Sequence, residues 1–249
     1  MKNNLWSFGC SFTESMKERM KWYLPQFGPE TYKIPNVLEK MYGKENIKNY
    51  QDYLSEDWNL NNLNFGKGGN SNYHVFNDIC NNCQSINEND IVILEWTMLQ
   101  RHGFPIDVHD PNNLVSCRAD NYKQFEDLSE KSLSTITFYR ENKVYYINEI
   151  LGYINIIREL SKLKKFKLFM WTIEDKIINH VIENNLLSDD WLFHDEITSY
   201  KSYIDFFKKN GVSTLTEETG YVDKHFGVQG HKRQYELIKK YIDENFSYR

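Results

Sequence analysis

The sequence predicts an α/β protein, a three-layer α/β/α sandwich around a mainly parallel sheet of about five strands. Short, nearly continuous apolar runs alternate with longer segments of helical periodicity, as expected when strands are buried on both faces and helices cover them. The 249 residues are 40% hydrophobic and 15% aromatic, which is enough to fill one core. No linker rich in Pro, Gly or Ser interrupts the chain, so we expect a single domain over residues 1–249.

Five apolar runs are candidates for the strands of this sheet. LWSF at 5–8 predicts the first strand and LNFG at 63–66 the second. DIVILEW at 90–96 is almost wholly apolar, which is typical of a central parallel strand, and FKLFMWT at 166–172 is similar. GVSTLT at 211–216 is a weaker fifth candidate.

Three amphipathic segments predict helices between these strands. Residues 71–86 follow a Gly-rich turn, and Ser71 is available to cap the helix. Residues 149–163 and 231–246 place apolar side chains on one helical face. Strands that alternate with helices in this way indicate βαβ units and parallel pairing.

Two stretches, 103–148 and 174–200, break this alternation. The first contains FPIDVHDPNN and a polar run, and the second contains several acidic and aromatic residues. We expect both to be insertions over the carboxyl ends of the strands, where ligands bind in open α/β sheets.

The charge of the chain and its short apolar runs limit the class of partner. The formal net charge of -5 argues against a general nucleic-acid binder. The sequence has no run of 18 apolar residues and no charged start leading into an apolar core of a signal peptide. We therefore expect a cytoplasmic protein without a membrane partner.

The four cysteines are interpreted as free thiols. Without a secretory signal, a reducing compartment is the default, and disulfides are not expected. Cys80 and Cys83 form a CxxC pair, but a zinc site would need a second pair of ligands. We favour thiols packed on a helix.

Four short segments fall at the ends of predicted strands or in the turns that follow. They are Gly9-Cys10-Ser11, residues 64–72 (NFGKGGNSN), Glu95-Trp96-Thr97 and Asp223-Lys224-His225. In a doubly wound sheet such segments meet at one crevice. We therefore expect them to form a single site.

The residue types in these segments fit nucleophilic catalysis by serine. A serine needs an adjacent base, and the base needs an orienting carboxylate. Ser11, His225 and Asp223 fit these roles. The oxyanion needs preorganised donors, for which the Ser11 backbone, Gly69 and the Thr97 hydroxyl are candidates.

In this order, the four segments resemble the sequence blocks of the SGNH (GDSL-type) hydrolase superfamily. The family's first block is Gly-Asp-Ser, matched by Gly9-Cys10-Ser11, and its second is an Asn followed by a Gly-containing turn, resembled by residues 64–69. Its third block, Gly-x-Asn, corresponds to Glu95-Trp96-Thr97. Its last block, Asp-x-x-His, corresponds to Asp223-Lys224-His225, which is one residue shorter.

The resemblance implies a flavodoxin-like sheet and a serine esterase site, with Ser11 as nucleophile and His225 as base. It also implies an oxyanion hole formed by the Ser11 amide, the Gly69 amide and the side chain at Thr97. In the family that third donor is an Asn amide, whereas the Thr97 hydroxyl can donate only one hydrogen bond. Cys10 stands where the family has an Asp that is not the nucleophile.

Other roles are open for residues within or beside these segments. Cys10 is a second candidate nucleophile, because a helix N-terminus would favour its thiolate, and His231 is a second candidate base. We rank both behind Ser11 and His225.

The segment after the third predicted strand carries candidates for binding. Asn72, Trp96 and Arg101 are candidates to line a substrate pocket, with Arg101 suited to an anionic or hydroxylated group, although Trp96 fits the core equally well. A metal site formed by Asp107, His109 and Asp110 with His102 is a rival interpretation. We favour a polar loop over the site instead.

The expected function is hydrolysis of an O-acetyl or other acyl ester through an acyl-enzyme on Ser11, with a carbohydrate ester as one candidate substrate. This chemistry needs neither a metal nor an organic cofactor. Two alternatives stay open. One is a binding or structural protein of this fold that lacks catalysis, and the other is an acyltransferase that uses the same residues.

Overall fold

The fold is built on a parallel sheet. The computed structural model describes residues 2–21, 30–99, 101–107, 110–118 and 143–246. In chain order the strands are β1 (Asn4–Phe8), β2 (Asn61–Asn64), β3 (Ile91–Trp96), β4 (Arg101–Asp107), β5 (Asp110–Arg118) and β6 (Lys167–Thr172). Within the described residues, four of them form an all-parallel sheet in the order β2-β1-β3-β6, and β4 pairs with β5 in a separate antiparallel hairpin.

The described residues form ten α-helices. They are α1 (Met16–Met20), α2 (Ile34–Tyr42), α3 (Tyr50–Asp57), α4 (Asn72–Asn82), α5 (Lys143–Lys164), α6 (Asp175–Glu183), α7 (His194–Ile197), α8 (Tyr203–Lys209), α9 (Leu215–Thr219) and α10 (Val228–Asn245). The rings of Tyr53 on α3 and Tyr235 on α10 lie 5.5 Å apart. On α4 and α5, Phe76 and Tyr153 stack at 4.3 Å. This pairing is consistent with a three-layer α/β/α arrangement.

The prediction of four main strands is confirmed, with one shift in position. All six residues of β3 are buried, as its apolar sequence indicates. The strand is central in the sheet, with β1 on one side and β6 on the other, and such strands are covered on both faces. The second strand covers Asn61–Asn64 rather than 63–66. It ends where the Asn64 side chain turns back to accept a hydrogen bond from the Gly66 N–H at 2.8 Å.

The predicted fifth strand at 211–216 is wrong. In this stretch only Thr214 makes a β-bridge, antiparallel to Phe226, and α9 begins directly after it. Thr214 and Glu217 form a capping box, in which each side chain accepts from the other residue's backbone N–H. The Thr-x-x-Glu spacing at 214–217 is a signal for a helix N-terminus, and here it outweighs the apolar strand pattern of 211–216.

Residues 190–192, rather than 211–216, lie next to β6 at the edge of the sheet. Met170 N–H donates to the Asp190 carbonyl at 2.6 Å, and Leu192 N–H donates to the Met170 carbonyl at 2.8 Å. Met170 and Trp191 therefore form a parallel bridge. Because Trp191 lies in the stretch predicted as an insertion, that prediction is corrected here: part of 174–200 completes the sheet edge.

The predicted helices are present, although two are longer at their N-terminal ends. The Ser71 hydroxyl caps α4 by accepting from the His74 N–H at 3.3 Å, as predicted. The other two helices begin at Lys143 and Val228 rather than at 149 and 231. The helix α6 buries Ile177, Ile178 and Val181 in the core, so it also belongs to the fold and is not an insertion.

The stretch 103–148 holds the β4–β5 hairpin and the start of α5. The hairpin follows β3 closely, so its first residue, Arg101, lies near the carboxyl end of the central strand. Across the described residues, no helix has both the length and the apolar character needed to cross a membrane.

Candidate active site

The turn after β1 presents Ser11. The N–H groups of Thr13 and Glu14 both donate to the Cys10 carbonyl, at 3.1 and 2.9 Å, which closes the turn. Gly9 is required because an added Cβ would lie 2.5 Å from Thr13 Oγ1 and 2.7 Å from Glu95 Cβ. Ser11 lies at the top of this tight turn and is 8% exposed.

A buried carboxylate, Glu95 at the end of β3, holds the turn from below. The Cys10 N–H and Sγ–H donate to it at 3.2 and 2.8 Å, and Thr13 Oγ1 donates at 2.6 Å. Burial raises the pKa of Glu95, and the bonds from Cys10 and Thr13 oppose that shift. No role for Glu95 is predicted from the sequence, although a single acidic residue in an otherwise apolar strand is a signal for one.

Ser11, His225 and Asp223 form a continuous hydrogen-bonded chain. Ser11 Oγ lies 2.8 Å from His225 Nε2, and His225 Nδ1 lies 2.5 Å from Asp223 Oδ1. A carboxylate has no proton to give, so Nδ1 carries the hydrogen and Nε2 is free to accept from the serine. The structure thus brings together the three residues predicted for the nucleophile, the base and its orienter.

The short Asp-Lys-His spacing is compatible with this geometry. Asp223 Oδ1 also accepts from the backbone N–H of His225 at 2.8 Å. One carboxylate oxygen therefore fixes both the backbone and the ring of the histidine. The turn is anchored in addition by Thr216, whose Oγ1 donates to the Asp223 carbonyl at 2.7 Å.

The surroundings of His225 favour its neutral form. Burial lowers the pKa of His225. The hydrogen bond that His225 Nδ1 donates to Asp223 opposes this shift, while the charges of Arg19 and Arg101 lower the pKa further. The ring also lies 4.6 Å from the ring of Phe12. A neutral imidazole can accept a proton from Ser11, which is what a general base requires.

The glycine-rich loop, residues 66–70, lies against the turn after β1 that contains Ser11. The Lys67 N–H and Asn70 Nδ2 both donate to the Gly9 carbonyl, at 3.2 and 3.1 Å. Gly69 has a φ of 87° and open space at its Cβ position. Within the described part of the chain, the N–H groups of Ser11 and Gly69 donate to no protein acceptor. They are therefore available to a ligand.

Thr97, the third predicted oxyanion donor, is fully buried. Its hydroxyl accepts from Arg101 Nη1 at 3.2 Å, and its backbone is bonded on both sides by the Asn72 side chain, at 2.7 and 3.0 Å. Thr97 thus supports Arg101 from beneath rather than opening onto the surface.

For two of the three residues predicted to line a substrate pocket, burial contradicts the prediction. Asn72 is fully buried, and both its amide nitrogen and its amide oxygen are hydrogen-bonded to the backbone of Thr97. Trp96 is also fully buried, with Nε1 donating to Met170 Sδ at 3.4 Å. Arg101 is half-buried and is the one of the three that lies at the surface near the site.

The rival nucleophile and the rival base are both enclosed. Cys10 is fully buried, and burial together with the charge of Glu95 raises the pKa of its thiol to about 12, so the thiolate is not populated at neutral pH. His231 lies inside α10, and burial lowers its pKa to about 3. Its Nδ1 lies 3.3 Å from Gln234 Oε1, whereas Ser11 is bonded to His225.

The rival metal site was predicted from four residues whose side chains lie outside the described part of the structure: His102, Asp107, His109 and Asp110. Among the side chains that the structure does describe, no group of three His, Cys, Asp or Glu could hold a metal ion. Cys80 and Cys83 are free, half-buried thiols on or next to α4.

In comparisons with known proteins, no family model matches the chain and no curated protein sequence is significantly similar to it.

Proposed function

We propose that this protein is a serine ester hydrolase of the SGNH (GDSL) type. The observation that carries the proposal is the chain from Ser11 Oγ through the His225 ring to Asp223 Oδ1, with distances of 2.8 and 2.5 Å. The order of the sequence blocks and the parallel sheet with its site at the carboxyl ends of β1 and β3 support the same proposal.

In the proposed reaction, Ser11 Oγ attacks the carbonyl carbon of an acyl ester while His225 Nε2 takes the hydroxyl proton. The tetrahedral intermediate collapses when the carbon–oxygen bond to the alcohol breaks and His225 gives that proton to the leaving oxygen. Water then attacks the acyl-enzyme, losing a proton to His225, which returns it to Ser11 as the acid leaves. Asp223 keeps the imidazole oriented and stabilises its cation.

The negative charge on the intermediate needs donors close to Ser11. The free N–H groups of Ser11 and Gly69 are the donors we assign to the oxyanion hole. The cation of Arg101, bonded to Thr97 Oγ1 at 3.2 Å, adds positive charge near the same place. We propose O-acetyl or other acyl esters as substrates, and transfer to an acceptor other than water would use the same groups.

Replacement of the nucleophile is the first test. Ser11→Ala is expected to lose at least about 1,000-fold in kcat on p-nitrophenyl acetate, because no other described hydroxyl is bonded to His225. A fluorophosphonate probe is expected to label Ser11 in the wild type, as seen by mass spectrometry of the peptide.

Ser15→Ala is the matched control, since Ser15 lies nearby at the start of α1 and its side chain caps nothing. It should keep both activity and labelling. Full hydrolysis by Ser11→Ala would rule out the mechanism. A wild type that neither hydrolyses nor becomes labelled over hours would instead favour a binding protein of this fold.

A further inference from the structure

Arg19 on α1 contacts two separate parts of the candidate site. Its Nη1 donates to the carbonyl of Ser11, and its Nη2 lies 4.0 Å from Asp223 Oδ2. The residue is only 7% exposed. One buried guanidinium therefore joins the residue that carries the nucleophile to the carboxylate that orients the base.

The chemistry of the contacts suits arginine in particular. The planar guanidinium presents several N–H groups in a fixed fork, so it can bind two acceptors that approach from different sides. A lysine has one compact charge and no such fork. A buried guanidinium is costly to leave unpaired, so its placement between a carbonyl and a carboxylate favours one relative position of the two.

The two oxygens of Asp223 have divided roles. Oδ1 accepts from the ring and backbone of His225, while Oδ2 faces Arg19. Rotation of the carboxylate would break contacts on both sides. Arg19 thus acts on the histidine through Asp223 and on the nucleophile through the Ser11 carbonyl.

We propose that Arg19 is a positioning residue, which holds Ser11 and Asp223 in the relative arrangement that the Ser11–His225 hydrogen bond requires. This inference rests on the proposed function. The positive charge of Arg19 has a second effect. It disfavours the protonated form of His225, which must be neutral to act as a base. Within the described residues, the charged groups with the largest effect on His225 are Asp223 on its own loop, Arg19 on α1 and Arg101 at the start of β4.

The test compares Arg19→Met and Arg19→Lys with Lys21→Met, an exposed cation next to α1 that is paired with Glu18. In Arg19→Met, kcat on p-nitrophenyl acetate is expected to fall about 100-fold, the loss typical of a small misplacement of reacting groups, with KM unchanged. The acid limb of the rate profile should move to higher pH, because removal of the cation makes protonation of His225 easier.

Arg19→Lys separates position from charge. It keeps the cation but not the fork, so kcat should fall while the acid limb stays near its wild-type pH. Lys21→Met should change neither quantity. Wild-type kcat in Arg19→Lys, or a loss in Arg19→Met that appears only in KM, would overturn the proposal.

A readout that needs no activity keeps this test separate from that of the proposed function. The ring protons of His225 can be titrated by NMR, with His225→Gln used for assignment. A higher midpoint in Arg19→Met than in wild type supports the contact even if the protein hydrolyses nothing, whereas an unchanged midpoint overturns the electrostatic part. If Arg19→Met does not fold by circular dichroism, Arg19→Lys decides the outcome.

Discussion

At the scale of single residues, the contact between Cys10 and Glu95 explains how a thiol can lie next to Ser11, the proposed nucleophile, without competing with it. The Sγ–H is committed to Glu95 Oε1 at 2.8 Å, and the thiol is fully buried. Its reactive form is therefore suppressed twice, by burial and by the neighbouring carboxylate. In this site Cys10 acts as a donor to Glu95, and Ser11 is the group that faces His225.

This division of roles predicts different outcomes for two replacements of Cys10. Cys10→Ser keeps a donor for Glu95 and should retain activity. Cys10→Ala leaves one oxygen of a buried carboxylate without its donor, at a cost of about 1–3 kcal/mol in the free energy of unfolding. Urea unfolding and hydrolysis assays measure the two effects. An inactive but folded Cys10→Ser would indicate that the thiol is the nucleophile.

The environment of His225 predicts the pH dependence of activity. Burial, Arg19 and Arg101 together outweigh Asp223, so the pKa of His225 is lowered from 6.5. The base is active when neutral, so activity should persist below pH 6.5 and fall only at lower pH. A profile of kcat/KM against pH measures this limb. A midpoint above pH 6.5 would contradict the environment described here.

At the scale of secondary-structure elements, Asp90 ties the amino ends of β1 and β3 together, at the opposite edge of the sheet from the site. It accepts from the Asn4 N–H at 2.8 Å, from Trp6 Nε1 at 2.9 Å and from the Asn87 N–H at 3.0 Å. Burial acts to raise the pKa of Asp90, but these bonds outweigh it and lower the pKa below 3.8. The carboxylate thus fixes where the two strands begin.

Asp90→Asn is expected to lower the free energy of unfolding by about 1–3 kcal/mol at pH 7, because an amide nitrogen would face N–H donors. Since the folded-state pKa is lowered, the stabilisation is complete above the unfolded-state value and is lost as pH falls through the folded-state value. Urea unfolding at several pH values should show the difference from wild type shrinking in acid. Glu88→Gln, an exposed neighbour, is the control and should show no such difference.

At the scale of the whole molecule, the sequence pattern predicts most of the sheet, because strands buried on both faces must be apolar along their length. The pattern predicts the fifth strand at 211–216, which is the wrong place. The segment around Trp191 joins the sheet by a single bridge, and its sequence has no strand pattern. The contact between Ser11 and His225 could be predicted, because both residues lie in polar segments assigned to strand ends or to the turns that follow them. The contacts of Arg19 and Glu95 could not be predicted, because no sequence pattern links Arg19 to Asp223 or Glu95 to Cys10.

The hydrogen bond from Ser11 to His225 spans 214 positions of the chain, and this has a consequence for the order of synthesis. A ribosome adding about 5–20 residues per second needs on the order of 10 to 40 s to make that length. Throughout this interval the emerging chain holds its serine without its histidine. The hydroxyl gains its partner only when the segment containing Asp223 and His225 has left the ribosome and docked on α1, so a prematurely terminated chain would carry an unactivated serine.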